Sequence, residues 1–198
     1  MQRLVLGVAL AAAWGCDEAK EALAGPDQGP QEVVFEQPLE TPVATLDADG
    51  VSAVCVAFQS AVVRKTPDET RCVPAGIVAA GQGDGDAQAA CVDARDTCAR
   101  LARLGSGRLP ELPAGPCPFQ PVEAGGCSAT LEALKPCLDS LADAAVAQVS
   151  QTLTCALAGD PSLPDVQIEV PDADGVQACA DFTQACPGFL GPDDAAQE

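Results

Sequence analysis

The sequence predicts a mainly α fold: two disulfide-stapled antiparallel helical hairpins following a disordered acidic tether. Three observations carry this. Cysteines recur in a four-membered pattern, with Cys55, Cys72, Cys91 and Cys98 separated by 16, 18 and 6 residues and Cys137, Cys155, Cys179 and Cys186 by 17, 23 and 6. Around them apolar residues repeat at helical spacing. Ahead of them, Asp17 to Gly50 holds nine acidic residues against Lys20, with scattered Pro and Gly and no apolar period.

Residues 1–15 read as an export signal. Arg3 precedes an apolar run, Leu4 to Ala13, that is too short to span a membrane as a mature helix. Ala13-Trp14-Gly15-Cys16 follows and resembles the lipobox of bacterial lipoproteins, where a small residue precedes a cysteine that becomes the diacylated N-terminus. Gly15 and Cys16 match that pattern, while Ala13 and Trp14 depart from the usual leucine and small residue. The resemblance covers the leader alone and implies lipid attachment at Cys16. Of eleven cysteines, ten then remain, an even number that can all pair.

Residues 16–50 are expected to be the tether, because such a composition buries too little apolar surface to offset its ordering entropy. Val33-Val34-Phe35 stands out within it and is read as a chance apolar triplet in preference to a short sticky site for a partner. The first hairpin is expected over 51–105. Val51, Val54, Cys55, Phe58, Ala61 and Val62 make one apolar stripe on a helix ending near Lys65. Thr66-Pro67-Asp68-Glu69 has the form of a capping box, Cys72 follows in a short turn, and Ile77 to Ala80 is an apolar patch. Asp86 then caps a helix from Ala87 to Leu104 that stops at Gly105 and presents Cys91, Ala94, Cys98 and Leu101 on one face.

Residues 106–126 form a Pro/Gly-rich linker, and 127–190 the second hairpin. Ser128 caps a helix in which Pro136 is a kink or a restart. The stripe Leu138, Leu141, Ala142, Ala145, Val149, Leu153 and Ala156 continues it to Gly159. A loop with a short strand, Val166 to Val170, leads to a last helix from about Asp174, with Cys179, Phe182, Cys186 and Phe189 on one face. Residues 191–198 are an acidic tail.

In an antiparallel hairpin the start of one arm lies beside the end of the other, so nested pairing is expected. That gives Cys55 with Cys98, Cys72 with Cys91, Cys137 with Cys186, Cys155 with Cys179, and Cys117 with Cys127 between the units. Disulfides place the chain in an oxidising compartment. With no Tyr, five Phe and a single Trp in the leader, aromatic side chains are expected to contribute little to the core.

The chemistry is mostly one of exclusions. There is no histidine and no pair of cysteines two to four residues apart, so zinc, thioredoxin-like redox and Ser-His catalysis lack their parts. No catalytic residue, metal ligand or cofactor is assigned. A formal charge of −19 argues against nucleic acid as a partner. Asp47/Asp49, Asp84/Asp86 and Asp172/Asp174 offer oxygen ligands for calcium in an alternative, metal-dependent reading. All precede predicted helices, where aspartate caps backbone N–H groups. Charge is uneven: Val51 to Leu109 has seven basic and six acidic residues, and from Cys137 onward there are eleven acidic and no basic ones. Arg95, Arg100 and Arg103 are a candidate anion face, set against an i,i+4 pairing of Asp96 with Arg100 on a solvated surface.

Leader, acidic tether and cysteine-stapled helices together resemble cysteine-rich bacterial lipoproteins. The resemblance implies a lipid-anchored location in the cell envelope and supplies no activity. The expected function is therefore a non-enzymatic module that contacts the membrane through its lipid and binds an envelope protein or acts structurally.

Overall fold

The stripe Val51, Val54, Cys55, Phe58, Ala61 and Val62 is buried in full on α1, Ala48–Lys65. Asp47 starts this helix, its carboxylate accepting from the Gly50 amide at 2.8 Å. The structure, a computed structural model, describes residues 31–82, 85–112, 119–123, 126–159 and 171–191. Cys16, Cys117, Asp84, the Val166 to Val170 segment and residues 192–198 lie outside these. The further helices are α2 Asp68–Arg71, α3 Val73–Ala80, α4 Ala87–Arg103, α5 Leu131–Thr152 and α6 Ala180–Ala185, with 3-10 turns at Val43–Thr45, Cys155–Leu157, Ala173–Gly175 and Gln177–Cys179. The described residues contain no strand, only an isolated bridge between Pro42 and Thr130. None of their helices is long and apolar enough to cross a membrane.

Thr66 ends α1 rather than capping the next helix. Its hydroxyl donates to the Val62 carbonyl at 2.7 Å, and α2 starts after Pro67 with no side-chain cap. The two arms of the first hairpin are consequently α3 and α4, while α1 packs across α5. The arms approach closely at Gly76, where a Cβ would lie 2.6 Å from the Cys91 carbonyl oxygen. Asp86 caps α4 as expected, accepting from the Gln88 and Ala89 amides.

The start of α5 is capped by backbone, not by Ser128. Leu131 and Glu132 donate their amides to the carbonyls of Thr41 and Leu39, at 3.0 and 2.8 Å, and Val43 donates to Ala129. Orphan N–H groups at a helix start must be paired, and here a chain segment supplies the acceptors. The helix runs through Pro136 and ends at Thr152, short of Gly159, so Ala156 falls outside its buried stripe. In the second hairpin the returning arm is a series of short turns and α6. Cys179, Phe182, Cys186 and Phe189 are all buried nonetheless, because single turns keep the same three- to four-residue recurrence.

Each hairpin carries internal staples, in a different pairing from the one expected. Cys72 bonds Cys98 in the first; Cys127 bonds Cys186 and Cys137 bonds Cys179 in the second; Cys91 bonds Cys155 between them. All five expected pairs are therefore overturned. The physical reason is the choice of arms: with α3 as the first arm, Cys72 at its start meets Cys98 near the end of α4. Because α5 stops at Thr152, Cys155 turns away from Cys179 toward Cys91. Cys55 is also disulfide-bonded. The cysteine spacing repeats between the units, but the bonding pattern does not.

One apolar core spans both units. Phe58, Phe119, Phe189 and Phe182 form a chain of ring contacts with centroids 5.8 Å apart at each step. Aromatics thus contribute more than their number suggests, since four of the five phenylalanines meet at one place. Phe119 and Leu112, from the expected linker, are buried there as well. The tether also gives way earlier than Gly50: Val33 and Val43 are fully buried and Phe35 packs against the core.

Candidate functional site

Three surfaces stand out as candidates. The first is a polar clasp over the segment that enters the described structure. Val33 donates its amide to the Asp139 carboxylate at 2.6 Å, and Lys135 bridges Glu32 and Asp139 at 2.8 and 2.7 Å. Arg64 donates to the Glu32 carbonyl, while Lys65 reaches Asp143 and the Asp139 carbonyl. Partial burial works against the charge on Lys135, but the two carboxylates outweigh it and raise its pKa. Sequence reading passed over this clasp. Two signals were present: Val33-Val34-Phe35 is an apolar run in a polar stretch, and Lys135 is the only basic residue after Arg108.

The second surface is the outer face of α1, a shallow groove of about 420 Å³. Small side chains, Ser52, Ala53, Ala57 and Ser60, form its floor, with Asp49 at one end and Arg64 at the other. Val34 and Val56 stand exposed beside it. Such a surface can accept an apolar side chain or helix by close approach.

The third is the C-terminal end of α4. Arg95, Arg100 and Arg103 do not share one fate. Asp96 pairs with Arg95 rather than with Arg100, and Arg103 pairs with Glu69 of α2. Arg100 and Arg108 have no ion pair among the described residues. Arg71 fixes the same region, its guanidinium donating to the Pro110 carbonyl; burial lowers its pKa, with Asp68 pulling the other way. Leu101, expected on the buried stripe of α4, is 40% exposed, and Leu104 is 64% exposed.

Two of the aspartates considered for calcium are occupied otherwise. Asp47 and Asp86 direct their carboxylates at helix N–H groups. Among the described residues no group of three or more Cys, Asp or Glu side chains is placed to hold a metal ion. The cysteines are likewise engaged, all nine described ones being disulfide-bonded.

No protein-family model matches this chain, and neither does any curated protein or solved structure.

Proposed function

We propose that this chain is a non-enzymatic envelope lipoprotein, held at a membrane by lipid on Cys16 and serving as a protein-binding or structural module. One observation carries the reading furthest: every described cysteine is in a disulfide. Disulfides in this number persist in oxidising compartments, which fits the export-type leader, and they leave no described thiol for nucleophilic or redox work. The acidic balance of 29 Asp and Glu against 10 Lys and Arg weighs against nucleic acid as a partner. Contact with another envelope protein is supported by the groove on α1, whose small floor and exposed valines suit close apolar packing.

The test is an intact mass of the protein extracted from its own membrane, alkylated with and without prior reduction. The expected result is an N-terminal Cys16 carrying acyl chains and no alkylation before reduction. An unmodified N-terminus, or a thiol that alkylates without reduction, overturns the reading. For the binding role, a photo-crosslinker at Val56 is expected to give one reproducible adduct in intact cells, lost on Ala53→Asp; a structural element alone gives none.

A further inference from the structure

We propose that the C-terminal tip of α4 is a second, non-covalent contact with the bilayer: a surface for anionic lipid headgroups that sets how the module sits on its membrane. The proposal rests on the reading that Cys16 holds the chain at a bilayer.

The tip is exposed because the hairpin arms differ in length. α4 has 17 residues and α3 has 8, so at about 1.5 Å per residue α4 outruns its partner by roughly 13 Å. Cys98 is tied to Cys72 at the start of α3, and among the described helices the one-turn α2 is the one that packs alongside the end of α4. Leu101 and Leu104, three apart on one face, protrude there. The chain then reverses at Gly105, where φ is +67°, and the Ser106 and Gly107 amides donate back to the Leu101 carbonyl. Gly107 is thereby brought against Leu101, and Arg108, which follows it, is exposed.

Charge at this tip runs against the rest of the chain. From Thr97 to Pro110 there are three arginines and no acidic residue. Glu69 neutralises Arg103, but Arg100 and Arg108 have no ion pair among the described residues. Asp96 and Glu111 flank this stretch, and Asp96 is paired with Arg95. At physiological salt the Debye length is about 8 Å, so an approaching surface senses these arginines more than the carboxylates of the second unit. Exposed leucines ringed by arginine match a lipid interface: the guanidinium groups pair with phosphate while the apolar side chains enter the headgroup region.

The position of the tip also fits. Glu32 is bonded to Arg64, and five residues further on Glu69 is bonded to Arg103. The point where the N-terminal segment enters and the α4 tip are thus tied to positions five residues apart, at most about 18 Å of backbone. Fourteen residues lie between Cys16 and Gln31, so the chain joining them reaches at most about 54 Å. A module anchored at Cys16 has this tip within reach of the bilayer.

The mature chain has no tryptophan, because Trp14 lies in the leader, so Leu104→Trp is a single reporter. It also has no histidine. A chain from Cys16 onward with an N-terminal hexahistidine tag can thus be hung from nickel-chelating lipid by the tag alone. On vesicles containing brominated lipid and about 30 mol % phosphatidylglycerol, quenching of this reporter is expected to exceed that on phosphatidylcholine vesicles about threefold. The excess is expected to vanish in about 0.5 M salt, and with Arg100→Glu plus Arg108→Glu. Val78→Trp reports from the opposite end of the hairpin and is expected to stay unquenched; Val78 is 62% exposed, so the fold tolerates it. Equal quenching on both vesicles, indifference to the arginine changes, or equal quenching at the two positions overturns the proposal. Since the tag supplies the tether here, these outcomes are independent of whether native Cys16 carries lipid.

Discussion

Cys91 is bonded to Cys155 across 64 residues of sequence, and this bond joins the first hairpin to the turn that follows α5. Both sulfurs are buried in a small apolar cluster with Ala80, apart from the main core. That cluster is small, with Ile77, Ala87, Ala90, Val92 and Ala158 packed on it, so the covalent link is expected to matter more than its local packing suggests. In the chain-entropy estimate a loop of this length contributes about 4 kcal/mol. Replacing both residues, Cys91→Ala with Cys155→Ala, is expected to lower unfolding free energy by 2–4 kcal/mol in denaturant titrations, about the range for one disulfide in a small domain. A loss below about 1 kcal/mol would mean that noncovalent contacts already fix the two units together.

Gly76→Ala tests the closeness of the hairpin arms. A methyl group there meets the Cys91 carbonyl oxygen at 2.6 Å and its Sγ at 2.9 Å, and neither can move aside, one being backbone and the other disulfide-bonded. Alanine normally favours a helix over glycine by roughly 1 kcal/mol. Here the sign is expected to reverse, with a net destabilisation of about 1–3 kcal/mol from overpacking. At the exposed Gly85, where a Cβ meets nothing, the same change is expected to have little effect on the thermal midpoint.

How far the sequence discloses this fold can be seen residue by residue. The six-membered stripe of α1 is legible because burial of one helix face is a local, periodic property. The face Cys179, Phe182, Cys186 and Phe189 is legible for the same reason, although its helix is only six residues long. The choice of neighbours is not. Thr66-Pro67-Asp68-Glu69 suits a capping box and equally suits a threonine that donates back to the preceding turn; the second occurs, and the first arm of the hairpin is α3 rather than α1. In the second unit a nested arrangement does exist, Cys127–Cys186 outside Cys137–Cys179, shifted by one cysteine from the expected order. The exposed tip of α4 was hidden for a related reason: a periodic stripe shows which face seeks cover, but not that α3 is too short to cover Leu101.

Capping and calcium binding make opposite predictions for Asp86. Its carboxylate accepts from two backbone amides, at 3.0 and 3.1 Å, so Asp86→Ala is expected to cost about 1 kcal/mol with or without chelator. Asp86→Asn, which keeps an acceptor but loses the charge, is expected to recover most of that. Thermal midpoints in millimolar calcium and in chelator decide it: a midpoint that rises with calcium in the parent and not in Asp86→Asn would return the aspartate to the metal-binding reading.

Asp139 is the hinge of the clasp on the N-terminal segment, accepting from the Val33 amide and from Lys135 at once. Asp139→Ala strands a partly buried N–H, with an expected cost of about 1–2 kcal/mol and faster hydrogen exchange at Val33. Asp143→Ala removes a carboxylate that is 70% exposed and paired with Lys65, and is expected to cost less than about 0.5 kcal/mol. Equal effects of the two would show that the segment is held by its apolar side chains alone.

Lys135 sets the pH window of that clasp. Its folded pKa lies above the ordinary lysine value of 10.5, since the carboxylates of Asp139 and Glu32 outweigh the cost of partial burial. A raised folded value means that the folded state binds the proton more tightly than the unfolded chain does. The stabilisation is then fully present below 10.5 and is lost as pH rises through the folded value. Lys135→Gln is accordingly expected to be less stable than the parent by a constant amount, about 0.5–1 kcal/mol for a pair still partly open to water, at every pH from about 7 to 10. Above that the difference should narrow as the parent loses its proton. Rapid denaturant titrations of both proteins, completed before disulfides exchange in alkali, provide the comparison. A gap that stays constant past the lysine range would assign the role of Lys135 to the packing of its methylene chain rather than to its charge.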